Sequence, residues 1–505
     1  MFLSISQCLF PSALVSDEEL GRGRPFAPPV SATPGDRSRV VCQLEVKIDR
    51  LPDEVLLDIF GFYRAEFQTF PFSAWKWQTL AHVCQRWRDI VLTSPWRLDL
   101  RIACNANTPA KKSLDIWPPF PISVTHVHSE RISLNSQGEE NILAALEERH
   151  RIHEISLFGL TDAVLERFTA AMEESLPALR HFSLFSLDIA PAVLPETLLG
   201  GSAPRLLTFA LDGMPFPSLP NFILSASHLQ LLHLYSIPHA GYISPQAMAS
   251  FLPSLSKLEH LLLDFQDPQS RPIQVIPPPL TRAVLPALTL FRFSGASEYL
   301  EDFAARIDTP LLNGLRIMLF SDPIIDIPRV QKFIDRAEML KSLGQAEVVL
   351  SPRSFRVVFG SPTGRPDALK LEFQCCLGRE TIVQICNQLS SFLSQVEWLF
   401  ISEIPQDELE WEDDADRMPW LELLIPFVSA KSLHITEKLA PQFAVALQGL
   451  TRERVTEILP ALHDMFLEGL QPSGSLWQTI KPFVSARQFS DHPVVIQRWE
   501  RILVS

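Results

Sequence analysis

The sequence predicts an α/β protein in which a small helical module precedes a long solenoid of alternating strands and helices. An apolar pattern of strand length recurs from residue 152 in seven clear and three weaker copies, with helical segments between them. The 505 residues are 46% hydrophobic, which is enough for a large core. Because one strand–helix unit cannot bury its apolar face alone, such units stack against their neighbours.

The segment 1–46 is predicted to be a disordered leader. Its part from Asp17 to Ser38 is rich in Gly, Pro, Arg and Ser and cannot bury much surface. The apolar start loosely resembles a secretory signal, but no Lys or Arg precedes it and Gln7 and Pro11 interrupt it. We therefore expect that the protein is not exported.

A helical module is predicted for residues 47–97. Pro52 suits the first position of a helix, and Asp53 and Glu54 favour the positive end of the helix dipole. Helical spacing then places four apolar side chains on one face: Val55, Leu56, Ile59 and Phe60. A second helix is predicted from about Ala74 to just before Pro95, and its apolar stripe contains Trp77, Leu80, Val83, Cys84 and Trp87.

The module is too small to bury its apolar faces unaided, so we expect a partner or a neighbouring domain to cover them. After it, Leu98, Leu100 and Ile102 alternate with charged residues, which predicts a half-buried strand.

Residues 98–470 are predicted to form the solenoid. Each repeat has an apolar residue, two variable positions, an apolar residue, one variable position and an apolar residue, and successive copies start 23 to 30 residues apart. This spacing is close to that of leucine-rich repeats, which is about 20–29 residues. The clear copies begin at Ile152, Leu179, Leu206, Leu229, Leu258, Leu288 and Leu312, and the weaker ones at Val396, Ala430 and Leu462.

Helices between strands are predicted after Thr161 and after a Ser244 cap. The region 322–368 fits the repeat worst and is predicted to be an insert with a hairpin of strands 346–350 and 355–359. Residues 471–505 are predicted to form a C-terminal cap.

Composition and charge argue against several classes of function. The net charge of −14 disfavours nucleic acid and anionic membranes as partners, and no apolar stretch is long enough to span a membrane. The seven cysteines include no CxxC pair, which favours a reducing compartment, cytoplasmic or nuclear. His126 with His128 and His150 with His153 lack a third ligand, so we expect no metal and no cofactor.

Catalytic motifs are missing from the sequence. It contains no GxSxG elbow and no glycine-rich phosphate loop, so we expect no catalytic or cofactor-binding residues and no enzyme activity. A hydrolase with a dispersed active site remains an alternative, which would require a deep pocket with perturbed carboxylates or histidines. An acidic run around Trp411 is interpreted as a solvated loop, with a docking patch for a basic partner as the alternative.

Two blocks in the helical module resemble the F-box family. They are Leu51-Pro52-Asp53-Glu54-Val55-Leu56-Leu57-Asp58-Ile59-Phe60 and Val83-Cys84-Gln85-Arg86-Trp87-Arg88-Asp89-Ile90. The blocks lie farther apart than is usual in the family, by an extra segment within residues 62–73. From Lys47 onward the chain is similar to fungal F-box proteins with irregular leucine-rich repeats. Its Leu160, Leu187 and Met214 stand where the family often has Asn or Cys, which suggests an irregular horseshoe.

The resemblance implies a substrate receptor of an SCF ubiquitin ligase. The F-box would bind a Skp-family adaptor and through it a cullin, and the repeats would bind a protein client. An interaction scaffold without a ligase role is the alternative, and co-purification with a cullin separates the two. The resemblance assigns the following residues to adaptor binding: Leu51, Pro52, Glu54, Val55, Leu56, Ile59, Phe60, Val83, Cys84 and Trp87.

A client surface follows from the strand period of two. If the apolar triplets face the core, the residues between and after them face the opposite side of the strands. Phe158, Phe185 and Tyr235 then form one column, interrupted by Asp212, beside His181 and His233. The predicted client site consists of the three aromatic residues and the two histidines, without Asp212. Aromatic residues commonly contribute most of the binding energy of an interface. The alternative is that another part of the chain covers the rings, which would make them core.

Overall fold

The structure is a computed structural model. It describes the following residues: 48–65, 77–95, 97–98, 100–107, 109–116, 119–127, 134–186, 188, 192–266, 281–320, 327–340, 344–351, 354–360, 369–374, 379–403, 420–448, 450, 454–471 and 473–499. The chain divides into two compact units, residues 1–103 with 114–121, and residues 104–113 with 122–505. The predicted leader and the acidic run around Trp411 lie outside the described residues.

The described helices are α1 Asp53–Ala65, α2 Trp77–Ala81, α3 Gln85–Thr93, α4 Ala110–Ile116, α5 Ser136–Leu146, α6 Asp162–Ala171, α7 Leu219–Leu224, α8 Pro245–Phe251, α9 Ser297–Arg306, α10 Pro328–Arg336, α11 Arg379–Gln388, α12 Ser390–Leu393, α13 Trp420–Leu424, α14 Ala440–Gln448 and α15 Ser475–Phe489. Short 3-10 helices lie at Ile48–Arg50, Leu198–Gly201, His239–Gly241, Leu252–Ser254 and Glu338–Leu340.

The described strands are β1 Ile102–Asn105, β2 Ile122–Val127, β3 Ile152–Leu160, β4 His181–Ser186, β5 Thr208–Asp212, β6 Leu231–Ile237, β7 His260–Phe265, β8 Ala283–Val284, β9 Leu290–Gly295, β10 Ile307–Asp308, β11 Gly314–Phe320, β12 Gln345–Ser351, β13 Ser354–Gly360, β14 Leu369–Gln374, β15 Trp398–Glu403, β16 Ser432–Ile435, β17 Asp464–Glu468 and β18 Val495–Trp499. Together with the helices they make a mixed α/β structure.

The first helix of the smaller unit begins as the sequence predicts, but the second does not run unbroken to Pro95. It is divided into α2 and α3 by a turn, and Cys84 caps α3 because its sulfur accepts a hydrogen bond from the backbone N–H of Trp87 at 3.4 Å. A cap residue is extended, so the helix cannot pass through it. The predicted start near Ala74 lies outside the described residues.

The strand predicted from Leu98 is shorter than expected. Leu98 and Leu100 are buried, as the alternation requires, but β1 begins only at Ile102. The backbone N–H groups of Leu98 and Leu100 bond instead to the carbonyls of Ser94 and Pro95, so this stretch is a turn that follows α3.

Sixteen of the described strands form one sheet, and most of them follow one another in chain order. From β2 to β7, and again from β15 to β18, neighbouring strands are parallel, and corresponding repeat positions pair. Phe182, for example, pairs with Phe209, and Phe209 pairs with Leu232. A separate two-stranded ladder joins β8 and β10.

The structure confirms that every apolar residue of the seven clear triplets is buried, and the first residue of each weaker copy is buried as well. Helices cover this face of the sheet. Phe222 of α7 lies 5.3 Å, between ring centroids, from Phe209, and Phe303 of α9 lies 5.7 Å from Phe291. The core of the larger unit therefore lies between the triplet face of the strands and the helices.

The predicted helix starts and the predicted hairpin are both confirmed. Thr161 precedes α6, and the Ser244 hydroxyl accepts a hydrogen bond from the N–H of Ala247 at the start of α8. Strands β12 and β13 pair antiparallel. The insert continues into β14, which is parallel to β11 and antiparallel to β13, while β12 is parallel to β15. The insert thus contributes three strands to the sheet.

None of the described helices has the length and apolar composition needed to cross a membrane. The described residues include no group of three or more His, Cys, Asp or Glu side chains arranged to hold a metal ion.

Candidate interaction surfaces

The helical module has a core of its own. Leu56, Leu57 and Phe60 of α1 are buried, and the ring of Phe60 packs against that of Trp87 with centroids 4.7 Å apart. Arg86 fastens α3 to the start of α1, since its guanidinium pairs with the Asp53 carboxylate and donates to the Leu51 carbonyl at 2.6 Å. These contacts hold the two sequence blocks, residues 51–60 and 83–90, against each other.

The opposite side of α1 carries an exposed apolar stripe, which consists of Val55, Ile59, Phe62 and Tyr63. The spacing i, i+4, i+7 and i+8 places them on one helix face. Their exposed fractions are 41%, 39%, 78% and 37%, respectively. Val83, in the turn before α3, is 59% exposed. A stripe of large apolar side chains left in water is typical of a surface that a partner covers.

The predicted adaptor residues separate into three groups in the structure. The sequence placed Leu56 and Phe60 on one face with Val55 and Ile59. In the structure the side chains of Leu56 and Phe60 are buried inside the module, so we correct their assignment from docking residues to core residues. The exposed members are Pro52, Glu54, Val55, Ile59, Val83 and Cys84. Leu51 and Trp87 are half-buried and support the fold as well as the surface.

Two further exposed aromatic residues lie on the stripe. Phe62 and Tyr63 fall within the extra segment between the two blocks, but α1 continues to Ala65 and places both on its exposed face. Their spacing of seven and eight residues from Val55 is the signal that could have found them. The rest of that predicted connection, residues 66–73, lies outside the described residues.

The second surface lies on the larger unit, on the side of the strands that does not face the helices. Phe158, Phe185, Asp212 and Tyr235 are neighbours in register on β3, β4, β5 and β6. The rings of Phe158 and Phe185 are stacked with centroids 4.2 Å apart, and Tyr235 lies 5.9 Å from Phe185. The predicted column is therefore a contiguous group of rings.

Asp212 does not break the column, because the rings of Phe185 and Tyr235 on the neighbouring strands lie 5.9 Å apart. Asp212 is 8% exposed, and burial raises the pKa of its carboxyl group, while a hydrogen bond from Ser236 acts in the opposite direction. Burial also raises the pKa of Asp264, which accepts from the Ser236 N–H at 3.4 Å. Asp212, which interrupts the aromatic column in the sequence, is thus a buried polar residue between aromatic neighbours.

The five predicted client residues differ in accessibility. Phe185 is only 5% exposed and cannot offer its ring to a partner, whereas Phe158, Tyr235, His181 and His233 are half-buried. His233 is held by Tyr235, whose hydroxyl lies 3.5 Å from Nδ1. Burial, with smaller contributions from His260 and Arg292, lowers the pKa of His233 to about 4, so the imidazole is neutral at neutral pH.

Of the histidines that the sequence considered as metal ligands, two are buried and His150 is exposed. His126 and His153 are each 4% exposed, within the strand layer, and neither belongs to a ligand group among the residues that can be described. His128 lies outside the described residues.

Comparison with known families identifies the helical module. Residues 48–98 match the family described as F-box-like. The match covers α1 to α3 and ends before the sheet. A comparison with curated proteins gave no match. The chain thus has an F-box-like domain, a type of domain that generally binds adaptors of the Skp family.

Proposed function

We propose that this chain is the substrate-recognition subunit of an SCF-type ubiquitin ligase. Its F-box would dock on a Skp-family adaptor and thereby on a cullin, and its sheet unit would hold a protein client. The observation that carries the proposal is the exposed apolar stripe Val55, Ile59, Phe62 and Tyr63 on a domain that matches the F-box-like family. The chain would catalyse nothing itself. It would raise the local concentration of client lysines near a ubiquitin-charged enzyme.

We further propose that the sheet unit is an irregular leucine-rich-repeat solenoid with a horseshoe form. The support is the parallel chain-order pairing and the burial of the triplets. The face that carries Phe158 and Tyr235 would bind the client. Such a receptor would work in the cytoplasm or the nucleus, where the SCF machinery is expected.

The docking claim is tested by replacing two stripe residues. We expect the double variant Val55→Ser, Ile59→Ser to lose adaptor binding in a pull-down with a purified Skp-family adaptor. Buried interface anchors contribute about 2 kcal/mol each, so the affinity should fall about a hundredfold or more. Leu51 is a poorer choice, because its side chain is half-buried and its replacement would also disturb the fold of the module.

The matched control is Val445→Ser. Val445 lies on helix α14 and is 42% exposed, against 41% for Val55, so it has the same chemistry outside the F-box. It should leave adaptor binding intact, and melting of all variants should remain close to that of the wild type. Adaptor binding that survives in the double variant contradicts the docking claim. Adaptor binding without cullin in the complex would favour the scaffold without a ligase role.

A further inference from the structure

A second group of aromatic residues lies near the C-terminal end of the sheet. Phe400, His434 and Phe466 are neighbours in register on β15, β16 and β17. The His434 ring lies between the two phenyl rings, with centroids 4.3 Å away on each side and planes tilted by 20° and 6°. The three side chains are half-exposed, whereas the triplet residues Leu433 and Ile435 beside His434 are buried. The stack therefore lies on the face away from the core.

Trp499 of β18 completes this group of rings. Its indole meets His434 edge-on, with centroids 5.3 Å apart and planes at 80°, and lies 6.4 Å from Phe400. A cavity of about 240 Å³ opens beside these rings. Its walls include the rings of Phe400, His434 and Trp499 and the polar side chains of Glu347, Ser402 and Thr436.

The Glu347 carboxylate gives the wall of the cavity a negative charge, and Glu403 lies behind the lining residue Thr436. The Ser402 hydroxyl donates to Oε1 of Glu347 at 2.9 Å, and the Thr436 hydroxyl donates to a carboxylate oxygen of Glu403. Burial lowers the pKa of His434 to about 4, so the imidazole adds no positive charge at neutral pH. With the net charge of −14, these groups favour a cation and repel a phosphate.

We propose that this aromatic and acidic cavity binds an arginine side chain from a basic segment of a protein partner. A guanidinium can stack on the aromatic faces while its N–H groups reach the carboxylate of Glu347. The planar fork of arginine suits this arrangement better than the compact ammonium of lysine. The proposal goes beyond the adaptor function, because it concerns a site on the sheet unit that requires neither the F-box nor a ligase.

The experiment uses the full chain without adaptor. Fluorescence anisotropy follows a fluorescein-labelled glycine/serine peptide that carries several arginines, beside the same peptide with citrulline and with lysine. Citrulline keeps the shape of arginine without its charge. We expect the arginine peptide to bind and the citrulline peptide to bind at least about tenfold more weakly, since loss of a charge-assisted bond is worth more than 1.4 kcal/mol. Equal binding of the citrulline or lysine peptide would overturn the assignment.

Two variants and one matched control locate the site. Glu347→Gln removes the charge and keeps an acceptor for Ser402, and Trp499→Leu removes the edge-on ring. Both should weaken binding of the arginine peptide severalfold. The control is Glu154→Gln, because Glu154 of β3 also accepts from a serine, Ser123, at 2.8 Å, far from the cavity in the strand order.

The Glu154→Gln control distinguishes binding of the arginine peptide at this cavity from general electrostatic attraction to the acidic protein. Glu154→Gln should bind the arginine peptide as the wild type does. If Glu347→Gln also binds like the wild type, the peptide is attracted by net charge alone and the proposal fails. If Trp499→Leu does not fold, Glu347→Gln still decides the result, since it changes one atom type. The outcome is independent of adaptor binding, so failure here leaves the proposed F-box function standing.

Discussion

At the residue scale, one buried cation holds the C-terminal part of the sheet unit together. Arg487 of α15 is 0% exposed, and its guanidinium donates to the carbonyls of Val455, Leu459 and Leu462, each at 3.1 Å. Leu459 has a φ of +50°, in the left-handed region that costs energy for a residue with a Cβ. The side chain therefore satisfies a strained turn that leads from α14 into β17.

We expect Arg487→Met to lower the free energy of unfolding by about 3 kcal/mol or more, because three buried carbonyls lose the guanidinium donor and, among the described residues, only that of Leu459 still accepts another hydrogen bond, from the Leu462 N–H. Urea unfolding measures the change. The control is Arg454→Met, since Arg454 pairs with Glu457 at the surface, with exposures of 57% and 60%, and such pairs contribute at most about 1 kcal/mol. Equal effects of the two variants would contradict a structural role for the buried guanidinium.

At the scale of elements, the aromatic column across β3 to β6 contains both a core ring and more accessible rings. Phe185 is buried in the middle, while Phe158 and Tyr235 at its sides remain half-exposed. The sequence posed two alternatives, a client surface or a covered core. The structure assigns Phe185 to the covered part and leaves its two neighbours accessible.

We expect Phe185→Ala to lower the free energy of unfolding by about 3 kcal/mol or more, as truncation of a buried ring does. The double variant Phe158→Ala, Tyr235→Ala should melt closer to the wild type and should lose clients. Clients are compared by proximity labelling in cells with the proteasome inhibited. Unchanged clients in the double variant would show that this face does not bind them. A large fall in its melting temperature would assign these rings to the core as well.

At the scale of the whole molecule, two partly buried histidines make the stability depend on pH. Burial lowers the pKa of both His233 and His434 from 6.5 to about 4. The unfolded chain therefore binds more protons than the folded chain between these values. The stability contributed by the neutral imidazoles is fully present above pH 6.5 and is lost as the pH falls toward about 4. The raised pKa values of Asp212 and Asp264 act in the opposite sense at the acid end.

We expect the double variant His233→Gln, His434→Gln to lose less stability than the wild type between pH 7 and pH 5, because glutamine does not titrate. Thermal melting at the two pH values measures this, and the difference should amount to a few degrees. His492→Gln is the control, since that histidine is exposed at the surface. An unchanged pH dependence in the double variant would contradict the linkage.

The sequence determined the repeating units and the F-box-like module. The triplets, the helices that begin after Thr161 and Ser244, and the hairpin in the insert could all be predicted, because apolar periodicity and helix-start signals are local properties of the chain. The side chains on the strand face away from the core could also be predicted, because successive side chains of a strand point to opposite faces. The predicted column from Phe158 to Tyr235 is for this reason contiguous in the structure.

Only the tertiary structure decided which apolar side chains are buried and which are left on the surface. On α1, the sequence groups Leu56 and Phe60 with Val55 and Ile59. In the structure Leu56 and Phe60 are buried, with Phe60 packed against Trp87, and Val55 and Ile59 are exposed. Glu347 from the insert and Trp499 from the last described strand meet at one cavity although they are far apart in the sequence. Strand order brings them together, and long-range pairing of this kind leaves no local signal in the chain.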